Sequence, residues 1–193
     1  MKLVILDRDG TINQDSDDYI KSPEEWLPLP GALEAIARLN HAGWHVVIAS
    51  NQSGLGRGLF DLATLNAMHT KMHKLLGAVG GRVDAVFYCP HTPEEGCRCR
   101  KPLPGLFEQI GDRYSVDLSA VYAVGDSLRD VQAAASAGCK PHLVLTGKGE
   151  VFRHRALSAD FPAKTRLHDS LMAFADYLLA SEAPAKKPDA SKK

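Results

Sequence analysis

Five short apolar runs, Lys2–Leu6, His45–Ala49, Val83–Tyr88, Ala120–Val124 and His142–Leu145, are each followed by a helical pattern: Ala32–Ala42, Leu62–Leu76, Pro104–Tyr114, Ser127–Ala137 and Ser170–Ala180. A run that is apolar at nearly every position must be covered on both faces, and a strand-helix-strand repeat makes neighbouring strands parallel with the helices as crossovers. The alternation therefore predicts an α/β fold, a doubly wound parallel sheet. Gly43 and Gly138 close two of the helical patterns, where a left-handed C-cap suits glycine. With 193 residues, 45% of them hydrophobic, the chain can bury one core of ordinary size.

In such a sheet ligands bind in the crevice outside the carboxyl ends of the strands. The residues that follow each run are therefore the informative ones. The first run leads into Asp7-Arg8-Asp9, the second into Ser50-Asn51-Gln52, the third into Cys89-Pro90-His91 and the fourth into Gly125-Asp126-Ser127. Turn chemistry alone explains one Asp-Gly tip, but four polar tips on one edge form a candidate active site. Lysine plus arginine number 23, as do aspartate plus glutamate, so no overall positive field favours nucleic acid or a membrane surface. Any attraction for phosphate has to be local. No apolar run approaches the roughly 18 residues that span a bilayer, and the charged start MKLVILDRDG carries no export signal, so a cytoplasmic protein is expected.

Asp7, Asp9 and Asp126 supply three carboxylates, Ser50 a hydroxyl and Lys101 an ammonium just beyond the third tip. Crowded carboxylates repel, and a cation makes them tolerable at neutral pH. Carboxylate oxygens completed by water are what Mg²⁺ prefers. Such a site suits phosphoryl transfer, in which positive charge offsets the repulsion between an anionic nucleophile and an anionic phosphate. An ionised aspartate attacks phosphorus without a base to activate it, forming an aspartyl-phosphate. A second carboxylate protonates the leaving alcohol and later deprotonates the attacking water. Spacing alone does not say which aspartate of the DRD pair plays which part.

The segments DRDGTIN, ASNQSG, RKP and GDSLRD, in this order, resemble the four motifs of the haloacid dehalogenase (HAD) superfamily of phosphatases, a likeness that runs from Met1 to about Ala180. The resemblance implies a Rossmann-like HAD fold with Asp7 as nucleophile and Asp9 as general acid and base. It also implies that Ser50 and Lys101 hold the phosphoryl oxygens, and that Asp7, the Asp9 carbonyl and Asp126 hold Mg²⁺. Asp130 is four residues beyond Asp126 and is either a partner of that site or a solvated aspartate on its helix.

The segment CPHTPEEGCRCRKP brings Cys89, His91, Cys97 and Cys99 within eleven residues, a donor set for a closed tetrahedral Zn²⁺ site. Unrelated thiols or a redox disulfide are the alternatives. Four protein ligands leave no open position, so this zinc is expected to be structural and to stiffen the loop that presents Arg100 and Lys101. With DDYIKSPEEW and SNQSGLGRG, the zinc-bound loop is similar to that of the phosphatases of D-glycero-D-manno-heptose 1,7-bisphosphate. Histidinol-phosphate phosphatases share the loop and the DRDGT start. The first resemblance implies a small-molecule sugar bisphosphate as substrate, loss of its 7-phosphate, and sugar contacts at Asp15, Asp18, Tyr19, Asn51, Gln52, Ser53 and Arg100. Many of those phosphatases carry lysine where this chain has Ser127. Only a short flap and one helix fit between Asp9 and the second run, so no large cap domain is expected.

Other signals point to packing or solvent. GLGRG at 54–58 does not have dinucleotide-binding spacing, and His69 and His73 lack the glutamate of H-E-x-x-H, so both are expected at the surface. Cys139 is expected to be a partly buried free thiol, and Trp26 and Trp44 to pack in the core. One phosphatase domain is expected over 1–182, with a disordered basic tail over 183–193 and a monomer as the working unit. A phosphoacceptor signalling receiver would carry its aspartate after the third strand, where this chain has Cys89. A nucleic-acid end phosphatase would need a basic groove. A zinc-stabilised binding module leaves Asp7, Asp9, Lys101 and Asp126 without a reason.

Overall fold

The computed structural model describes residues 1–182, and the expected tail lies outside the described residues. Strands β1 (Leu3–Leu6), β2 (His45–Asn51), β3 (Ala85–Cys89), β4 (Tyr122–Gly125), β5 (Lys140–Val144) and β6 (Arg166–His168) form one parallel sheet. Their order is β3-β2-β1-β4-β5-β6. Helices α1 (Ala32–His41), α2 (Ser53–Gly56), α3 (Leu62–Ala78), α4 (Gly105–Tyr114), α5 (Leu128–Ser136) and α6 (Leu171–Glu182) connect or follow them. The chain winds outward from β1 to β3, then returns to the other side of β1 with β4. This reversal opens a crevice between the carboxyl ends of β1 and β4.

Successive side chains of a strand point to opposite faces. Val4, Leu6, Val46 and Ile48 thus pack with Leu33 and Ile36 of α1, Leu65 and Met68 of α3, and Phe174 and Leu178 of α6. Leu3, Ile5, Val47 and Ala49 meet Leu106, Phe107 and Ile110 of α4 and Ala133 and Ala134 of α5 on the other face. Each fully buried Leu, Ile or Phe contributes about 1.5–3 kcal/mol to this sandwich. Trp26 and Trp44 are buried in the core and Cys139 is a buried free thiol, as the sequence suggests.

Some elements differ from expectation. β3 starts two residues late because the Asp84 carboxylate accepts from the Val46 N–H at 2.9 Å, taking a place in the ladder that a strand residue would fill, and it runs on to Cys89, which pairs with Asn51. β6 and α2 were not expected. β6 has three residues with two exposed side chains, so it carries no apolar run and is held by its ladder with β5. α2 is a single four-residue turn with two glycines. The connection from β1 to α1 holds no inserted domain. It is a flap in which Gln14 N–H donates to Leu27 C=O and Leu29 N–H to Ile12 C=O, pinned from α3 by Lys71 Nζ on the carbonyls of Pro23 and Trp26.

At the β5–β6 edge, His142 Nδ1 lies 2.8 Å from His168 Nε2, and both rings pack on Phe174 and Tyr177 of α6. Burial, then the neighbouring His168, pushes His142 down to about 3, and burial, then Arg166, pushes His168 down to about 4. The unfolded chain protonates both near pH 6.5. The stability that rests on the neutral pair is therefore whole above that pH and is lost as pH falls toward 4, at about 1.4 kcal/mol per pH unit for each ring. Tm is expected to fall between pH 6.5 and 4.5, and less steeply in His142→Phe, as followed by circular dichroism.

Candidate active site

Asp7 continues β1 by one residue, its N–H donating to Val124 C=O at 2.8 Å, which sets its carboxylate at the mouth of the crevice. Asp126 follows β4 directly. Gly10 and Gly147 close around it with φ of 80° and 52°, and a Cβ on either would collide with the Asp126 carboxylate. Asp126 Oδ2 accepts from the Lys148 N–H at 2.7 Å. Ser127 caps α5, and Asp130 completes a capping box, accepting from the Ser127 N–H at 2.9 Å and hydroxyl at 2.6 Å. This cap turns Asp130 inward, so it is buried and not solvated. The carboxylates of Asp7, Asp126 and Asp130 offer oxygens within 4.8 Å of one another.

Lys101 reaches this cluster from the loop after β3. Its Nζ donates to Asp7 Oδ1 at 2.7 Å and Ala49 C=O at 2.8 Å and pairs with Asp130 Oδ1 at 2.6 Å, which uses all three ammonium protons. Asn51 holds the Lys101 backbone reciprocally, accepting from its N–H at 3.0 Å and donating to its carbonyl at 3.1 Å. Burial lowers an ammonium pKa, but Asp130 and Asp7 outweigh it and hold Lys101 above its ordinary value. Burial raises Asp130, but Lys101 and the hydrogen bonds from Ser127 together outweigh it and hold its carboxyl below the usual carboxylate range. Burial pushes Asp7 up to about 7 and Asp126 up to about 9, with Asp130 adding repulsion to each. Three carboxylates against one ammonium leave negative charge unmatched, and a divalent cation bound by oxygens fits that deficit.

The Asp9 side chain is held apart from this cluster. Its Oδ1 accepts from Arg8 Nε at 2.9 Å and Asn13 Nδ2 at 2.8 Å, and its Oδ2 from Arg8 Nη2 and Gln52 Nε2, both at 2.9 Å. Arg8 is fully buried and also approaches His69 Nε2 at 3.5 Å. His69 is thus half-buried, contrary to the surface position expected for it, while His73 is exposed. Ser50 Oγ lies at the end of β2 and accepts from Gln52 Nε2 at 2.8 Å.

A cavity of about 250 Å³ opens over these groups, and Asp15, Tyr19, Asn51, Gln52, Ser53 and Arg100 contribute to its wall. Asp18 is exposed and does not line it, because the flap turns through Tyr19, whose φ is 66°. Lys148 and Arg129 line the cavity without having been read from the sequence, and Lys148 Nζ pairs with Asp15 across its mouth. A signal for Lys148 existed: it sits in the polar tip after the fifth strand, TGKGE, where the same tip rule applies. Arg8 and Asn13 lie inside DRDGTIN, but nothing local told that they would hold Asp9.

In the neighbouring loop Cys89 Sγ lies 3.5 Å from both Cys97 Sγ and His91 Nδ1, and Cys99 Sγ 3.3 Å from His91 Nδ1. A tetrahedron with Zn–S bonds of about 2.3 Å has edges of about 3.7 Å, so the four donors fit zinc. All of these cysteines are free. Burial pushes Cys89 up to about 12, whereas at Cys97 burial is outweighed by hydrogen bonds shared with Cys89 and Cys99, which bring it down to about 7. Zinc removal by a chelator, or Cys99→Ser, is expected to lower kcat about 10- to 100-fold, because the next two residues are Arg100 and Lys101. Zinc content and phosphate release measured on the same samples check this.

A parallel sheet with an aspartate pair after its first strand, an acidic tip after its fourth and a buried lysine between them defines a haloacid dehalogenase-like hydrolase. Residues 98–172 match a family model described as HAD-hydrolase-like. The D-glycero-β-D-manno-heptose-1,7-bisphosphate 7-phosphatase of Bordetella bronchiseptica is 61% identical over 93% of this chain and 98% of its own length. The enzyme of the same name from Pseudomonas aeruginosa is 53% identical over 92% and 97%. A crystal structure of D,D-heptose 1,7-bisphosphate phosphatase from B. bronchiseptica with magnesium and phosphate superposes with a TM-score of 0.90, at 60% identity over 94% of this chain and 99% of that one. This chain belongs to the D-glycero-β-D-manno-heptose-1,7-bisphosphate 7-phosphatase family of HAD-like hydrolases.

Proposed function

We propose that this protein is a Mg²⁺-dependent phosphatase that removes the 7-phosphate of D-glycero-D-manno-heptose 1,7-bisphosphate and leaves the 1-phosphate in place. The observation that carries this reading is the likeness, along almost the whole of both chains, to a relative of that name whose structure holds magnesium and phosphate. The phosphatase domain is read as 1–182, working as a cytoplasmic monomer. Among the described residues no helix is long and apolar enough to cross a membrane.

The carboxylate of Asp7 attacks the 7-phosphorus, a P–O bond forms to Asp7, and the bond to the sugar oxygen breaks. Asp9 gives the leaving alkoxide its proton. Once Asp7 is esterified, its charge has moved to the phosphoryl oxygens, and the Lys101 proton that pointed to Asp7 is free to follow it. Ser50 donates to a second phosphoryl oxygen. Asp9 then takes a proton from water, which attacks phosphorus, releases inorganic phosphate and restores Asp7. Asp7, the Asp9 carbonyl and Asp126 would hold Mg²⁺, with Asp130 at the edge of the same cluster. When bound, it supplies positive charge against the anionic phosphoryl group. Tyr19, Ser53 and Arg100 are the sugar and phosphate contacts favoured by their place on the cavity wall.

The test is kcat/KM under Mg²⁺ for the heptose bisphosphate against histidinol phosphate, with ³¹P NMR to show which phosphate leaves. A preference of about a hundredfold or more for the heptose bisphosphate is expected. A preference for the amino alcohol, or loss of the 1-phosphate, would overturn the assignment.

A further inference from the structure

Gln52 is 4% exposed, and both N–H donors of its amide are engaged with the catalytic groups. Its Nε2 donates to Asp9 Oδ2 at 2.9 Å and to Ser50 Oγ at 2.8 Å, and its Oε1 accepts from Arg8 Nη2 at 3.2 Å. A carboxamide has two N–H donors, so none remains for a ligand. The backbone is held too, since the Gln52 N–H donates to the Cys89 carbonyl at 2.8 Å, at the root of the cysteine loop.

We infer that Gln52 is a positioning residue and not the sugar contact that its place in the SNQSG motif suggests. The inference rests on the functional reading above and deepens it. Accepting from Gln52 occupies a lone pair of the Ser50 hydroxyl, which turns its proton away from the amide and into the cavity, where a phosphoryl oxygen lies in the proposed reaction. The second N–H holds Asp9 Oδ2 at a set distance from Ser50. The buried Arg8 guanidinium closes the circuit, binding both Asp9 oxygens and Gln52 Oε1. One amide thus fixes the group after β1 that moves protons relative to the group at the end of β2 that binds phosphoryl oxygen.

Gln52→Met keeps the length of the side chain and removes both donors. If Gln52 positions, kcat falls about 10- to 100-fold on the heptose bisphosphate and equally on p-nitrophenyl phosphate, which has no sugar. KM for the heptose bisphosphate stays within about twofold. If Gln52 is a sugar contact, KM for the heptose bisphosphate rises while kcat holds and p-nitrophenyl phosphate turnover is unchanged; that result overturns the inference, as does no change on either ester. Should Gln52→Met not fold, Gln52→Leu carries the same test, because it also removes both donors and adds no charge beside Asp9. Failure of the functional reading is distinguishable: the parent protein would then hydrolyse p-nitrophenyl phosphate but not the heptose bisphosphate.

Discussion

Asp7→Asn is expected to lower kcat by about 10⁴-fold or more, the scale seen when a covalent nucleophile is removed. The amide carries no charge and is a poor nucleophile, so no phosphoryl-enzyme bond forms, and the remaining groups cannot substitute because in this mechanism they move protons or hold charge and none forms the bond to phosphorus. Phosphate release measures the effect, and mass spectrometry excludes deamidation back to aspartate. Turnover at the parent rate by a chain that is still Asn would refute the mechanism. The same substitution has an opposite expected effect on the fold. Burial holds Asp7 up at about 7, far above its unfolded value of 3.8. A carboxylate raised in this way destabilises the folded state increasingly as pH rises from 3.8 to about 7. Metal-free Asp7→Asn is therefore expected to melt above the metal-free parent at pH 8, with the gap closing below pH 4.

Lys101→Met should lower kcat by about 10²- to 10³-fold, the loss typical of one electrostatic stabiliser of a developing oxyanion. Here the fold suffers as well. Lys101 Nζ is the charge between Asp7 at 2.7 Å and Asp130 at 2.6 Å, and its side chain is 3% exposed. Without it the two carboxylates face each other with little access to solvent, their side chains 12% and 7% exposed, a defect of about 3–5 kcal/mol. Chemical unfolding of the metal-free protein measures that loss. Added Mg²⁺ is expected to recover part of the stability and little of the rate, because the ion restores charge to the carboxylates but not the ammonium that follows the phosphoryl group.

Much of this was legible in the chain. The five apolar runs needed two covered faces, and the polar residues after them stand at one edge in any parallel arrangement, so the sheet and the tips carrying Asp7, Ser50 and Asp126 could be located. The thiols and imidazole of the cysteine loop are close in sequence, and a short loop has few ways to separate them. β6 was not legible, because three residues with two exposed side chains have no pattern apart from the ladder that recruits them. Asp18 and Tyr19 are neighbours, yet only Tyr19 lines the cavity.

The residue types and their order along the strand ends belonged to the sequence by itself, because hydrophobic periodicity and donor chemistry are local properties. The tertiary structure decided which side chains each group would face. Asp130 could have pointed to water until the crossover after β3 delivered Lys101 to its side. Gln52 could have faced a sugar until packing buried Arg8 and offered its amide Asp9 and Ser50. Such choices rest on contacts between residues far apart in the chain, 29 positions for Lys101 and Asp130 and 43 for Asp9 and Gln52, where the path of the backbone, and not the nature of the side chain, sets the distance.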